Sequence, residues 1–145
     1  MLFTPVTIGP LTLRNRTVRA AAFEGMSPHH NVSEALINYH RSVAAGGIGM
    51  STVAYASVSR SGLSFPHQLW LRQQIVPQLQ QLTGAVHSQG AAASIQIGHC
   101  GNMAKHHIIG GRPMAPTSRI NLYAPSWPKA MSHSEIQQTA KDFGQ

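Results

Sequence analysis

Two short, largely apolar runs, Gly49 to Tyr55 and Ala91 to Gly98, each follow a segment of helical periodicity, and this alternation restricts the fold more than any other feature. Apolar residues at consecutive positions over so few residues fit a strand covered on both faces, as in a parallel sheet. Ser33 is placed to N-cap a helix running through Ala45, with Leu36, Ile37, His40, Val43 and Ala44 on one face and Gly46-Gly47 at its end. A second helix is expected over Ile75 to Ser88, where Ile75, Leu79, Leu82 and Val86 recur at helical spacing, Pro77 falls in the first turn and Gly90 closes it. Arg16 to Phe23, mixed in polarity and then alanine-rich, reads as an earlier strand. Strands therefore begin near residues 16, 49 and 91 with helices between them, the order of successive βα units joined by right-handed crossovers.

The flanking segments are simpler. Val6 to Ile8 and Leu11 to Leu13 surround Gly9-Pro10 and predict a hairpin, whereas Ser57 to Pro66 reads as loop. Asn102 to Ala130, with prolines at 113, 116, 125 and 128, is expected to be irregular. Ser132-x-x-Glu135 then forms a capping box that starts a helix carrying Ile136, Ala140 and Phe143.

A closed (β/α)8 barrel takes about 250 residues, and a doubly wound sheet would carry a glycine-rich phosphate loop after its first strand. This chain has 145 residues and no such loop. The expectation is a single α/β domain spanning residues 1–145: an open-ended half whose uncovered inner face and unpaired edge must be completed by a further C-terminal half or a second copy. Charged residues make up 10% of the chain, against the roughly 25% of ordinary soluble domains, which agrees with an incomplete surface.

The net charge of +7 comes from Lys and Arg scattered along the chain, with no basic stripe interleaved with aromatics and no nucleic-acid signature, so nucleic acid is not an expected partner. The single Cys100 has no internal disulfide partner, and no C-x-x-C pair is present to hold zinc. Met1 to Pro10 lacks the charged-then-apolar pattern of a secretory leader, and no run approaches the roughly 18 apolar residues of a membrane span. A cytoplasmic, non-membrane protein is expected.

Few residues offer chemistry of their own. With four Asp and Glu in the chain and no nucleophile elbow, two-carboxylate and serine hydrolysis have little material. His99, Cys100, His106 and His107 are close in sequence, but no acidic second partner stands near them, so His99 is expected to be a loop histidine satisfied by backbone. His29, His30 and the remaining histidines show no partner at acid-base spacing. The run Ala20, Ala21, Ala22 fits tight packing, and Tyr55 fits a buried structural tyrosine. Gln96 stands out, because an amide pointing inward from a buried strand has donors and acceptors that must be satisfied.

Several ordered segments resemble the Old Yellow Enzyme family of FMN-dependent ene-reductases and NADH:flavin oxidoreductases, dienoyl-CoA reductase relatives included. They are Leu2-Phe3-x-Pro5, Ile8-Gly9, Leu13-x-Asn15-Arg16, Ala45-Gly46-Gly47-x-Gly49, Val86-His87-x-x-Gly90, Ile95-Gln96-x-x-His99-x-Gly101 and Pro113-Met114-Ala115-Pro116-x-Ser118. The resemblance implies the first three βα units of a TIM barrel plugged at its bottom by the N-terminal hairpin, with FMN at the C-terminal ends of the strands and NAD(P)H as reductant. It implies that Ala20, Ala21, Ala22 and Phe23 line the flavin, that Tyr55 meets the ring system and that Gln96 binds its pyrimidine edge. No metal is implied.

The sequence departs from the family at Ala21 and Ala22, where Pro and Met are usual, at Phe23, where Thr or Cys often tunes the flavin, and at Asn102, where Arg is common. Pro113 to Ser118 resembles the cap over the active site. In the family, hydride passes from reduced flavin to an activated alkene whose carbonyl is held by a His-His or His-Asn pair on the fourth strand. That pair, the basic residue at the flavin N1 edge and the phosphate-binding loops fall outside residues 1–145, so no catalytic residue is assigned here and the 145-residue chain alone is expected to be inactive. The alternative is a non-catalytic half-barrel that oligomerises as a binding module.

Overall fold

The computed structural model describes residues 1–144. The hairpin forms as expected, β1 (Val6–Ile8) pairing antiparallel with β2 (Leu11–Leu13). Arg14 follows directly. Its guanidinium donates to the carbonyl oxygens of Ala44, Ile48 and Gln89 at 2.5, 2.9 and 2.8 Å. Because these carbonyls close one helix and lead into the following strands, one charged fork ties the hairpin to the N-terminal end of the sheet.

Helix α1 (Glu34–Ala45) begins where the Leu36 N–H donates to Ser33 Oγ at 3.1 Å, and it buries Leu36, Ile37, His40 and Ala44 on a single face. Strand β4 (Met50–Ser57) follows. Gly49 precedes it at a crossing where a Cβ would lie 2.5 Å from the Asn15 carbonyl oxygen, a contact that no other residue type tolerates. Helix α2 (Val76–His87), entered through a 3-10 turn at Gln73–Ile75, buries Leu82 and Val86 and leads to β5 (Ala92–Gly98).

With β3 (Val18–Arg19), these strands form a parallel sheet in the order β3-β4-β5. The core lies between the sheet and the two helices: Leu36, Ile37 and Ala44 of α1, Val53 and Ala56 of β4, and Leu82 and Val86 of α2. Each fully buried Leu, Ile or Val contributes about 1.5–3 kcal/mol through removal of apolar surface from water.

The first strand is shorter than the expected Arg16 to Phe23. Beyond Arg19 the ladder is taken over by side chains: Arg19 Nη1 donates to the Thr52 carbonyl at 2.6 Å, and the Ala54 N–H donates to both Glu24 carboxylate oxygens at 3.2 Å. Residues 20–24 therefore leave β4 and become a loop. Among the described residues both β3 and β5 have a strand on one side only, and Val18, Ile95 and Ile97 are 45%, 36% and 40% exposed.

The irregular stretch after β5 contains a helical turn, α3 (His106–Ile109), and a two-residue parallel pair, β6 (Met114–Ala115) with β7 (Lys129–Ala130). Helix α4 (His133–Phe143) opens with the expected capping box, Ser132 Oγ accepting from the Glu135 N–H and Glu135 Oε2 from the Ser132 N–H. The Lys129 ammonium, 2.5 Å from Glu135, holds that carboxyl at a pKa of about 2. No helix among the described residues is long and apolar enough to cross a membrane.

The two anchoring devices differ in weight. Glu24→Ala removes the buried carboxylate 3.0 Å from Arg19 Nη1 and should cost about 3–5 kcal/mol, whereas Ser33→Ala removes one cap and should cost about 1 kcal/mol. Urea unfolding followed by circular dichroism checks that order; equal losses would contradict it.

Candidate active site

The C-terminal ends of β3, β4 and β5 open into loops 20–27, 58–72 and 99–113, so the residues singled out in the sequence gather at one end of the sheet. The first loop is set by Glu24. Its carboxylate is 4% exposed and meets Arg19 Nη1 at 3.0 Å and His40 Nε2 at 3.3 Å, while His40 Nδ1 meets Ser51 Oγ at 2.8 Å. Sequence reasoning placed His40 on an apolar helix face with no partner; the fold instead supplies two, because α1 and the loop after β3 both pack on β4. Ser51, His40 and Glu24 thereby follow one another in the order of a nucleophilic relay, although His40 Nε2 lies near the carboxylate without hydrogen-bond geometry. Ser51 and His40 are 1% and 0% exposed, so no substrate reaches the hydroxyl and the line acts as a structural strut.

Arg19 also donates to the carbonyls of Ala20 and Ala22 at 3.3 and 3.2 Å, turning the opposite edge of that backbone outward. The N–H groups of Ala21, Ala22 and Phe23 meet no acceptor among the described residues. Phe23 stacks on Phe65 with ring centroids 4.6 Å apart, and it lies 5.9 Å from Tyr55 in a tilted arrangement. Lys105 Nζ stands 5.2 Å over the Phe65 ring. Neither Phe65 nor Lys105 was marked by the sequence, since they come from separate loops and carry no motif.

Tyr55 OH pairs with Ser64 Oγ at 3.2 Å and with Cys100 Sγ at 3.8 Å, and burial pushes its pKa above the usual tyrosine value. Gln68, fully buried, accepts the Ser64 N–H at 2.8 Å and so supports that wall from behind. His99 Nδ1 accepts the Gly101 N–H at 3.1 Å and its Nε2 meets Ser61 Oγ at 3.1 Å, in keeping with a satisfied loop histidine. Gly62 makes room for it, since a Cβ there would lie 2.8 Å from His99 Cδ2.

The face on which Gln96 lies follows from the pleat. Ser51 bonds His40 of α1 and therefore faces the helices, while Thr52 Oγ1 meets Ser94 Oγ at 2.8 Å on the other face. Gln96 and Gly98 follow Ser94 at intervals of two and share that face. The Tyr55 ring lies 4.0 Å from the position of a Cβ on Gly98, so it packs on the same face one pleat beyond Gln96. The Gln96 amide is exposed and makes no side-chain hydrogen bond among the described residues. Ala20 and Ala22 are likewise exposed, and Ala21 is half-buried.

Residues 1–145 match the NADH:flavin oxidoreductase / NADH oxidase family along their whole length. The chain belongs to this family. Among its relatives, 4,4'-dithiodibutanoate disulfide reductase of Rhodococcus erythropolis is 42% identical over 142 residues, covering 98% of this chain and 35% of that protein. A solved 2-naphthoyl-CoA reductase in complex with 2-naphthoyl-CoA superposes with a TM-score of 0.90 at 25% identity, over 97% of this chain and 24% of the other. The old yellow enzyme homologue of Zymomonas mobilis shares the fold, with a TM-score of 0.87 at 24% identity over 98% of this chain and 42% of its own. The chain thus spans about a third of the length of the Rhodococcus relative.

Family members use FMN with NAD(P)H as reductant, and the residues here are compatible with a flavin. Unpaired backbone N–H groups at Ala21 to Phe23, a partnerless glutamine amide and an aromatic wall lie at one end of the sheet among the described residues, beside the small side chains of Ala20, Ala21 and Ala22.

The half-buried His99 generates a pH effect. Desolvation is the largest influence on it and lowers its pKa from 6.5, so the neutral ring is favoured when folded. Stability should be fully present above pH 6.5 and fall as the pH drops through the lower folded value. Chemical denaturation at a series of pH values should show this decline, and His99→Gln should flatten it.

Proposed function

We propose that this chain is the N-terminal part of an FMN-dependent oxidoreductase domain, comprising the bottom hairpin and first three βα units of a (β/α)8 barrel, which uses NAD(P)H to reduce small activated substrates of the enone or enoyl type. The observation that carries this reading is the occurrence together, at one end of the sheet, of the partnerless Gln96 amide and the unengaged N–H groups of Ala21, Ala22 and Phe23. When bound, the flavin supplies a ring that accepts and donates hydride.

The chain's own part is to bind and orient. Gln96 has both a donor and an acceptor for the pyrimidine edge. Ala21, Ala22 and Phe23 present backbone donors, and the small side chains of Ala20, Ala21 and Ala22 allow a planar group to approach. Tyr55 and Phe23 exclude water from one flank, and the raised pKa of Tyr55 keeps its hydroxyl protonated. Phe23 cannot donate a side-chain hydrogen bond to a flavin, so at this position the chain contributes packing alone.

Flavin fluorescence quenching tests the binding half of the proposal. Gln96→Ala should weaken FMN binding about tenfold, while Gln89→Ala, at the opposite end of the sheet, should leave it unchanged. Equal effects would count against the assignment. Mixing the chain with the segment of the Rhodococcus relative that follows the matched residues should yield a yellow, NAD(P)H-consuming complex; a colourless, inert mixture would count against the oxidoreductase reading.

The exposed apolar residues Val18, Ile95 and Ile97 on the one-sided strands favour a second reading, a non-catalytic half-barrel that pairs with another copy. Analytical ultracentrifugation separates the two, because a discrete folded homo-oligomer without flavin affinity supports the second and excludes the first.

A further inference from the structure

Residues 103–107, 112–113 and 124–127 line an open cavity of about 650 Å³ whose wall includes Met103, Lys105, His106, His107, Arg112 and Trp127. No carboxylate of the described residues lines it. The chain has four Asp and Glu, and each is engaged or placed elsewhere: Glu24 under Arg19 and His40, Glu34 in the first turn of α1, Glu135 against Lys129, and Asp142 in a separate cavity beside α2. Among the described residues, the cationic groups of this cavity therefore have no carboxylate counter-ion.

Its cations are also organised. Arg112 Nε donates to the Trp127 carbonyl at 3.2 Å and Nη2 to the Pro128 carbonyl at 3.0 Å, which holds the guanidinium in place and leaves Nη1 available. Ser126 Oγ donates to the Asn102 carbonyl at 2.5 Å, bracing the facing wall. Lys105, whose ammonium makes no hydrogen bond among the described residues, both lines the cavity and stands 5.2 Å over Phe65, which stacks on Phe23. Lys105 is thus the residue that links the cavity to the aromatic wall of the candidate flavin site. Trp127 and Met103 are 63% and 42% exposed and offer apolar surface to a ligand body.

From this geometry we infer that the cavity seats the carboxylate end of the substrate, with Lys105 and Arg112 as specificity-determining residues. A small organic carboxylate fits: its anionic head meets the free Nη1 of Arg112 and the Lys105 ammonium, its aliphatic stem lies on Trp127 and Met103, and its reducible end extends past Phe65 toward Phe23. The assignment of the ligand as substrate rests on the oxidoreductase reading above, whereas the carboxylate site itself does not.

Trp127 gives a readout independent of turnover. In the Trp70→Phe variant it is the sole tryptophan of the chain. Titration with adipate at low salt should produce a saturable change in its emission, with adipamide and inorganic phosphate binding at least about tenfold more weakly. Lys105→Gln, which disturbs no hydrogen bond, should weaken adipate about tenfold, and Arg112→Gln should do so at least equally, with circular dichroism checking its fold. Equal binding of adipamide overturns the charge assignment, and equal binding of phosphate overturns the carboxylate class. No saturable signal, or an unchanged affinity in Lys105→Gln, overturns the site. Flavin affinity is measured separately: adipate binding without flavin binding would remove the substrate role, and flavin binding without adipate binding would remove this inference alone.

Discussion

Glu24 is the charge around which the upper end of this structure is arranged. A carboxylate removed from water is tolerated only when its oxygens are fully engaged, and here an arginine, a histidine and a backbone N–H converge on it from three elements. Arg19 comes from the end of β3, His40 from the middle of α1 and Ala54 from β4. The convergence fixes where the first strand must end, because Ala54 and Thr52 offer their ladder groups to side chains instead of to β3. The alanine loop emerges from that point with its carbonyls turned toward Arg19 and its N–H groups outward. An ion cluster with no access to substrate thus determines the shape of the loop most relevant to one.

The opposite end depends on Arg14, which gathers three carbonyls at the closing ends of helices and connecting turns. Between these two anchors the sheet and helices pack by ordinary apolar burial, and the division of labour is physical. Apolar contact is non-directional and brings layers together, whereas charge-assisted hydrogen bonds are directional and set where the chain turns. The same principle operates at the loop-rich mouth: Phe23, Phe65 and Tyr55 build a wall by contact, and Ser64, Gln68 and Arg112 hold loops in place by hydrogen bonds.

Much of the fold was legible in the sequence where local rules are strong. The hairpin around Gly9-Pro10, the Ser33 cap, the end of α1 at Gly46-Gly47 and the Ser132-Glu135 box depend on neighbours within a few residues, and all form as expected. The first strand was read too long because its continuation depends on Arg19 and Glu24, whose partners lie some thirty residues away. The short β6-β7 pair lay within a stretch read as irregular, since two residues joined across a loop leave no periodicity. Gln96 was expected to point inward from a buried strand, and its amide is instead exposed, because the face it occupies carries no covering layer among the described residues; Tyr55 lies near the strand end where it was expected, half-buried. Phe65 and Lys105 carried no signal, because loop residues acquire a common location only when separate βα connections converge.

The sequence by itself determined the order of strands and helices, the caps and turns that separate them, and the family to which the chain belongs, since these reside in spacing and in contiguous motifs. Tertiary structure alone decided that His40 faces Glu24 and Ser51, that the alanine loop turns its N–H groups outward, and that cations of the cap gather around a cavity without a carboxylate. The reason is that buried charge must find partners through space: the cost of leaving an ion unpaired is paid over ångströms, and sequence separation does not enter it.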